Sequence, residues 1–348
     1  MTSASAGPAI SVVMPTFDKA PYLELTLASY VGQSLRDYEL VVVDDGSTDD
    51  TAAVVRRYAE RLPITAVRQD NKGRSAARNA GIRAAAGEVV VFSDDDRIVS
   101  PDFVAEHAKA FAAGGALLVQ GGQRGVLTRW HPELRADERL TALDLELPGS
   151  PGSPDLPDRE VALVDAHAVE TDLDQVLATY GVPEPWWEQH VQRVLEAFPD
   201  PADFALSWMI GTTGNMSALR EQIVEVGLLD EGFTRWGLED TDLCYRLVHA
   251  GARVVVAPDA VNHHQVHPST GSKASEWLTN FRHFSRKVDT VEPALFRLLA
   301  QGLIDVRTAD AVARECAELS RAGRTVLVDE LRRRYDDLFR LFEQSMAG

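Results

Sequence analysis

Two hydrophobic periodicities alternate along the first 120 residues, and this alternation constrains the fold more than any other feature. Short apolar runs rich in β-branched residues predict strands, and helical patterns lie between them at about 21–34, 48–61 and 73–86. The predicted strands are AISVVMPTF (9–17), YELVVVDDG (38–46), ITAVRQ (64–69) and GEVVVFSDDD (87–96). Strict alternation of strand and helix indicates right-handed βαβ units, and therefore an α/β protein with a parallel sheet.

Aspartates follow three of the four predicted strands. They are Asp18, the pair Asp44-Asp45 and the run Asp94-Asp95-Asp96. Turns and helix caps explain single aspartates, and Ser47 fits the N-cap of the second helix. Three adjacent carboxylates repel one another, however, and a divalent cation such as Mg2+ or Mn2+ relieves that repulsion while bridging to a diphosphate. Because ligands collect at the carboxyl ends of parallel strands, we expect these residues in one site.

Composition excludes several classes of protein. The formal net charge of −18 argues against a nucleic-acid binder, because such proteins carry a basic face. The two cysteines lie far apart, so no disulfide framework is expected. Neither a signal peptide nor an apolar run long enough to span a membrane is apparent. These features favour a cytoplasmic protein.

Six segments together resemble the family 2 glycosyltransferases, which have the GT-A fold. They are SVVMPTFDKAPYLELTLASYVGQS, ELVVVDDGSTDDT, NKGRSAARNAGI, GEVVVFSDDDRIVSP, GTTGNMSALR and GFTRWGLEDTDLCYRL. The likeness covers roughly residues 9 to 267. It implies an α/β fold with a GT-A (Rossmann-like), mostly parallel sheet flanked by helices, and a C-terminal helical extension.

The same resemblance divides the chain. Residues 1–267 would form the catalytic domain, followed by a helical C-terminal region at 268–348. Within the catalytic domain, about 9–124 would bind the nucleotide sugar, 125–205 would be a variable acceptor-side insertion, and 206–267 the catalytic and acceptor half. The insertion contains a stretch rich in proline, glycine and serine, 147–158, which predicts a loop.

The resemblance also implies donor-binding residues. Pro15, Thr16 and Asp18 would lie near the base and ribose, Asp45 would accept a hydrogen bond from a pyrimidine, and Arg74 would contact the base or diphosphate. Asp94, Asp95 and Asp96 would form the Asp-x-Asp (DXD) motif. Asp96 is the expected direct metal ligand. Asp94 would lie nearer the ribose and is also expected to bind the metal. Asp95 is either a metal ligand or a bystander. Asn215 is expected to line the pocket.

Catalysis is assigned by resemblance to the pair in WGLEDTDL (236–243). Asp240 would be the general base and Glu239 would orient the acceptor hydroxyl or the sugar, whereas the structural alternative is a helix start with favourable acidic residues. One base opposite one departing diphosphate implies inversion at the anomeric carbon. His264 is the first choice for a metal-binding histidine from NHHQVHP, with His263 and His267 as alternatives and a solvated loop histidine as the structural explanation.

Tryptophans mark the expected acceptor side. Trp186, Trp187 and Trp236 could flank a sugar ring, although Trp186 and Trp187 fit equally well as hydrophobic anchors of the insertion. The C-terminal helices fit either a homodimer surface or an acceptor lid. Neither pattern identifies the acceptor.

The sequence therefore predicts a metal-dependent, inverting glycosyltransferase that uses Mn2+ or Mg2+. It would move a sugar from a nucleotide-diphosphate donor, expected to be UDP-linked, to a hydroxyl or other nucleophile of a small molecule, peptide or glycan. A sugar-phosphate nucleotidyltransferase is one alternative, but the loop PTFDKAPY lacks the glycine-rich character of those enzymes. A catalytically inactive nucleotide-binding scaffold is another, and the intact carboxylates argue against it.

Overall fold

The computed structural model of the chain describes residues 9–143, 158–268 and 273–347. The predicted loop at 147–158 lies almost entirely outside the described residues.

A nine-stranded sheet and a separate two-stranded ribbon contain the strands of the described structure. The strands are β1 (Ile10–Thr16), β2 (Tyr38–Asp44), β3 (Ile64–Arg68), β4 (Val89–Ser93), β5 (Arg97–Val99), β6 (Leu117–Val126), β7 (Arg129–Trp130), β8 (Val161–Ala162), β9 (Gly181–Val182), β10 (Asn215–Leu219) and β11 (Arg253–Gln265). The sheet lies at the centre, with strand order β3-β2-β1-β4-β10-β6-β11-β5 and β9 paired to β6, and the ribbon pairs β7 with β8.

Helices cover the sheet and form the C-terminal region. They are α1 (Ala20–Val31), α2 (Thr51–Ala59), α3 (Arg74–Ala84), α4 (Phe103–Ala110), α5 (Ala166–Thr171), α6 (Leu173–Tyr180), α7 (Arg193–Ala197), α8 (Arg220–Glu225), α9 (Glu239–His249), α10 (Lys273–Lys287), α11 (Glu292–Ala300), α12 (Val306–Arg321) and α13 (Thr325–Ala347). A π-helical turn at Trp187–Gln192 leads into α7.

The predicted α/β architecture is confirmed. Strands β1 to β4 pair in parallel, and each predicted strand and helix of this half is present. The other half is mixed, because β10 runs antiparallel between β4 and β6. The register of β10 places Asn215 opposite Ser93, next to the aspartate run.

The expected N-cap at Ser47 is wrong, because α2 begins four residues later with Asp50 at the N-cap position. The Ser47 hydroxyl instead accepts a hydrogen bond from the Asp18 amide at 3.0 Å, and its own amide donates to Asp44 at 2.8 Å. Ser47 thus ties together the chain segments that follow β1 and β2.

Strand β11 extends further than the pattern predicts. It continues to Gln265 across an irregularity between Ala257 and Asn262, so His263 and His264 lie in a strand rather than a loop. Asn262, His263 and His264 pair with β5, which directly follows the aspartate run. This pairing brings the histidines to the end of β4.

One hydrophobic core joins the sheet to the C-terminal helices. It runs from Val13 and Phe92 of the sheet through Trp208 to Phe284 on α10 and Phe296 on α11, all of them buried. A second core covers the other face of the sheet beneath α1, α2 and α4. Among the described residues, no helix combines the length and the apolar character needed to cross a membrane.

Candidate active site

A carboxylate and two imidazoles converge at the end of β4. Asp96, His264 and His267 each offer an oxygen or nitrogen atom, and these atoms lie within 4.8 Å of one another. The Asp96 carboxylate oxygen Oδ2 is 3.2 Å from Nε2 of His267 and 3.9 Å from Nε2 of His264. One oxygen and two nitrogens at this spacing can hold a divalent cation.

The Lys19 ammonium lies within the same cluster. Its Nζ is 2.5 Å from Asp96 Oδ2 and 2.9 Å from His267 Nε2. Burial alone would raise the pKa of Asp96, but Lys19 and His264 hold that pKa well below its usual range. Burial would likewise lower the pKa of Lys19, and the charges of Asp96 and Asp95 outweigh this and raise it. Asp96 is therefore ionised, as a cation ligand must be.

A carboxylate from the variable insertion lies behind His264. Oε2 of Glu184 is 3.4 Å from Nδ1 of His264, and the other ring nitrogen faces Asp96. Within the described residues Oε2 has no hydrogen-bond partner, so Glu184 acts on the ring by its charge.

Asp94 does not join the cluster. Its Oδ1 instead accepts a hydrogen bond from Nη2 of Arg78 at 2.7 Å, and the expectation that Asp94 ligates the metal finds no support in this arrangement. The same guanidinium donates to Glu239 Oε1 at 3.1 Å. Arg78, buried on α3, thus connects the aspartate run to the start of α9.

Glu239 is almost entirely buried, with 3% of its surface exposed. Burial and the neighbouring charge of Asp240 raise its pKa, against the opposing effect of Arg78 and of Arg74, which lies 3.9 Å away. Its Oε2 has no hydrogen-bond partner within the described part of the chain.

Asp240 is more accessible than Glu239 and lies in the first turn of α9. Its Oδ2 accepts a hydrogen bond from the Thr212 hydroxyl at 2.8 Å, and Oδ1 accepts one from the Thr241 amide, also at 2.8 Å. These bonds fix the carboxylate through neutral donors, and within the described part of the chain it forms no salt bridge, which suits a group that must accept a proton.

The middle aspartate is buried below the cluster. Burial raises the pKa of Asp95, and Lys19 opposes the shift. Thr16 is buried at the end of β1, and Pro15 precedes it with partial exposure. The three lie near the edge predicted to receive the donor, but no contact of theirs identifies a ligand.

Asp18 and Asp45 each organise a loop. Asp18 has a left-handed backbone (φ 48°), and its Oδ1 accepts from the Thr48 amide at 2.7 Å. Asp45 accepts from the Lys72 amide at 3.0 Å and the Gly73 amide at 2.8 Å. These bonds join segments 27 to 30 residues apart and are therefore not the local bonds of the turn-residue alternative. They shape the rim at which Arg74 is exposed.

The structure does not place Asn215 on a pocket wall. Its side chain is fully buried, with Nδ2 donating to the carbonyls of Gly122 and Ala260 and Oδ1 lying 2.9 Å from Nε2 of His107. The expectation of a pocket residue is therefore corrected: the amide is saturated by internal partners and joins three strands.

The tryptophans divide between anchor and surface. Trp187 is 8% exposed and belongs to the main core, while Trp186 packs against that core and stacks on His190 at 5.6 Å. Trp236 is exposed beside Lys273, whose ammonium lies 5.0 Å from the ring centre. The anchor alternative thus describes Trp187 and Trp186.

Sequence reasoning missed three site residues: Lys19, Arg78 and Glu184. Arg78 lies four residues after Arg74, on the same helix face, and this spacing could have identified it. Lys19 is adjacent to Asp18 but has no distinguishing pattern, and Glu184 lies in an insertion without a readable motif.

Comparison with known proteins gives matches in both halves of the chain. The Glycosyl transferase family 2 model matches residues 11–153, and a model described as the N-terminal domain of galactosyltransferase matches residues 195–268. A solved mannosyltransferase from Pyrobaculum calidifontis, in complex with GDP-Man and Mn2+, has a TM-score of 0.52 at 20% identity, covering 95% of this chain and 84% of that one. That likeness supports the GT-A fold.

Two curated relatives extend the likeness. An uncharacterised glycosyltransferase of Bacillus subtilis is 27% identical over 291 residues, which cover 81% of this chain and 71% of the relative. A validoxylamine A glucosyltransferase of Streptomyces hygroscopicus is 33% identical over 301 residues, which cover 83% of this chain and 63% of the relative, so the chain spans less than two thirds of that protein. The expected glycosyltransferase class is confirmed by these matches. The chain belongs to glycosyltransferase family 2.

Proposed function

We propose that this chain is a metal-dependent, inverting glycosyltransferase acting on a nucleotide-diphosphate sugar. One observation carries the proposal. The Arg78 guanidinium donates to Asp94, two residues before the Asp96 of the metal cluster, and to Glu239, the residue that precedes Asp240. This buried arginine joins the segment that carries the cation-binding group to the helix start that carries the candidate base, as transfer from a diphosphate to a hydroxyl requires.

The ligand atoms of the metal cluster fit Mn2+ better than Mg2+. Mg2+ prefers an octahedron of oxygen ligands, whereas the two imidazole nitrogens of His264 and His267 suit a softer ion. The residues that would hold the ion are Asp96, His264 and His267. When bound, the ion would supply positive charge against the developing charge of the leaving diphosphate.

Asp240 is proposed as the general base. The acceptor oxygen would attack the anomeric carbon as the bond from that carbon to the diphosphate oxygen breaks, and the bonding electron pair would leave with the diphosphate. The acceptor proton would pass to Asp240, whose carboxylate Thr212 holds in place. Attack opposite the leaving group inverts the anomeric configuration, which NMR of the product would reveal.

The donor is proposed to be UDP-linked, with Pro15, Thr16, Asp18 and Asp45 around the nucleoside. The solved mannosyltransferase holds GDP-Man, which makes GDP the main competitor. Arg74 is exposed at the same rim and would meet the base or the diphosphate.

Thermal unfolding of the full chain tests the proposal. UDP, GDP, dTDP and CMP would each be added with and without Mn2+, and UDP is expected to stabilise only with the metal. A ligand at about 100 times its dissociation constant adds ~2.7 kcal/mol, enough to raise the midpoint by a few degrees. If only GDP raises the unfolding midpoint, the proposed uridine nucleotide is wrong. If no nucleotide stabilises the protein in the presence of Mn2+, the proposed donor site is wrong.

Three further expectations remain proposals. A homodimer through the C-terminal helices is supported by exposed apolar side chains on α13, of which Val326 is 74% and Leu327 is 56% exposed. A cytoplasmic location is proposed from composition. The division of the chain at residue 267 is likewise a proposal about function.

A further inference from the structure

The turn that precedes the proposed base has a strained backbone. Gly237 (φ 89°) and Leu238 (φ 72°) are both left-handed, and α9 begins at the next residue, with Asp240 in its first turn. The left-handed conformation is unfavourable for leucine, so Leu238 keeps it only where the surroundings hold the turn in place. The path of this turn fixes where α9 starts, and therefore where the Asp240 carboxylate lies.

Two side chains of α10 hold this turn by hydrogen bonds to its backbone. Nδ2 of Asn280 donates to the carbonyl oxygen of Gly237 at 2.6 Å and to that of Arg235 at 2.9 Å. The amide of Trp236, which lies between them in the chain, donates to Oε2 of Glu276 at 2.9 Å. Three successive residues of the turn are thus bonded to two side chains that lie four positions apart, on one face of the helix.

The same helix also holds the beginning of the loop before α9. Nε2 of His283 and Nζ of Lys287 lie 3.0 Å and 2.6 Å from Oδ2 of Asp230. The polar residues of α10 that make these contacts recur every three or four positions, whereas Phe281 and Phe284 of the same helix are buried in the core. The polar contacts are therefore additional to the packing that attaches α10 to the sheet, and they all meet the one loop that leads to the proposed base.

We infer that Asn280 and Glu276 are positioning residues for sugar transfer, which act through Asp240 by holding the turn from which α9 starts. The inference rests on the proposed function, in which Asp240 takes the acceptor proton. A general base must lie about 2.6–3.2 Å from the atom that loses the proton, and a displacement of ~1 Å can lower the rate about 10²-fold. The Thr212 hydroxyl holds the Asp240 side chain, and α10 holds the backbone before it. The C-terminal region thereby contributes to the reaction through a helix that follows the family-matched segment, which ends at residue 268.

Variants of the full chain test the inference. The probes are UDP-glucose, UDP-galactose, UDP-N-acetylglucosamine and GDP-mannose with Mn2+, and the donor that the wild type hydrolyses fastest is used for every variant. Asn280→Ala removes both donated bonds and should lower kcat at least about tenfold, while the KM for the donor and the affinity for UDP–Mn2+ stay within about twofold of the wild type. Amide hydrogen exchange at residues 235–238 should become faster, with no change in β1 to β4.

Glu276 is half-buried and gives a matched pair that avoids a fully buried substitution. Glu276→Leu removes the acceptor of the Trp236 amide and should lower kcat in the same way. Glu276→Gln keeps a carbonyl oxygen as acceptor and should restore most of the rate. Arg286→Ala, at an exposed position on α10, is the control and should match the wild type.

Combination with Asp240→Asn separates positioning from general destabilisation. If Asn280 acts through Asp240, Asn280→Ala should lower kcat less than about twofold in the Asp240→Asn background, because the group that it positions is already removed. An equal factor in both backgrounds, or a wild-type kcat in Asn280→Ala and Glu276→Leu, would overturn the inference and leave the proposed function intact. A wild-type protein that hydrolyses none of the four donors contradicts the proposed function, and the inference falls with it.

Discussion

Neighbouring acidic side chains in this site have different surroundings, and these surroundings determine their proposed functions. Asp96 contacts a lysine and two histidines, which keep it ionised. Glu239 is buried against Arg78, whereas Asp240 is bonded only to neutral groups of Thr212 and Thr241 among the contacts described. The proposed cation ligand, the buried Glu239 and the proposed base are thus distinguished by their partners rather than by residue type.

Asp240→Asn tests the base at the residue scale. Since a general base contributes about 10²–10⁴-fold, turnover should fall by that factor while UDP–Mn2+ binding is retained. Initial rates of sugar transfer or donor hydrolysis, together with calorimetric binding, provide the measurement.

Asp242→Asn is the contrasting variant. Asp242 is 1% exposed and paired with Arg246 and Lys287, so replacing its carboxylate with the neutral side-chain amide of asparagine should reduce the free energy of unfolding by roughly 1–3 kcal/mol.

Equal turnover in Asp240→Asn and the wild type would remove Asp240 from the mechanism.

Asp96→Asn tests the cation site. Loss of the one charged oxygen from the cluster should weaken UDP binding with Mn2+ far more than UDP binding without metal. Asp174→Asn, at an exposed position on α6, is the control and should change neither affinity. A parallel loss with and without Mn2+ would place the metal elsewhere.

The sequence predicted the residue types of the site better than their contacts. Three adjacent aspartates indicated a cation, because their mutual repulsion requires compensation. The histidines that would share that cation, His264 at the end of β11 and His267 just after it, come about 170 residues later, and only tertiary structure brings them to Asp96. Asn215 shows the converse: its position at a turn predicted a pocket, but burial between strands gives it internal partners.

At the scale of elements, local patterns sufficed for the first half of the sheet. Strands β1, β2 and β4 are apolar nearly throughout, and a strand buried on both faces can be recognised from composition alone. The antiparallel insertion of β10 could not be predicted, because pairing between distant strands leaves no local signature. The extent of β11 was missed since Pro258 and Asp259 interrupt its pattern.

The contacts of Asp230 with α10 predict that the stability of the fold depends on pH. Asp230, in the loop before α9, lies 2.6 Å from Lys287 Nζ and 3.0 Å from His283 Nε2 of α10. Burial would raise the pKa of Asp230, but its bonds to Lys287, Gly232 and His283 hold that pKa well below its usual range. The folded protein therefore favours the ionised form more than the unfolded chain does.

A carboxyl with a depressed pKa stabilises the fold above its unfolded pKa of about 3.9, and this contribution disappears as the pH falls through the folded pKa. The difference in unfolding free energy between wild type and Asp230→Asn should thus be constant above about pH 5 and shrink below about pH 4. Urea denaturation at a series of pH values measures it. Asp37→Asn, at an exposed position, is the control, and a difference that stays constant to pH 3 would contradict the assignment.

At the scale of the whole molecule, the catalytic half and the C-terminal helices share a core. Phe284 of α10 is fully buried and packs 5.8 Å from the Trp208 ring, which belongs to the segment leading into β10. Arg297 of α11 lies over the ring of Phe339 on α13, so the last helices are joined to one another as well. Because apolar contacts cross residue 267, we expect a single cooperative folding unit even where the functions divide.

Phe284→Ala tests that expectation. Truncating a buried phenylalanine costs ~3–5 kcal/mol, and in one cooperative unit this loss must lower the stability of the sheet as well as of the helices. Denaturation would be followed by tryptophan fluorescence, circular dichroism and UDP–Mn2+ binding, and all three transitions should shift together to lower denaturant. Leu303→Ala, at a side chain 59% exposed, should leave them in place. If nucleotide binding persists after the helical signal is lost, the tail folds separately and the boundary at 267 is a structural one.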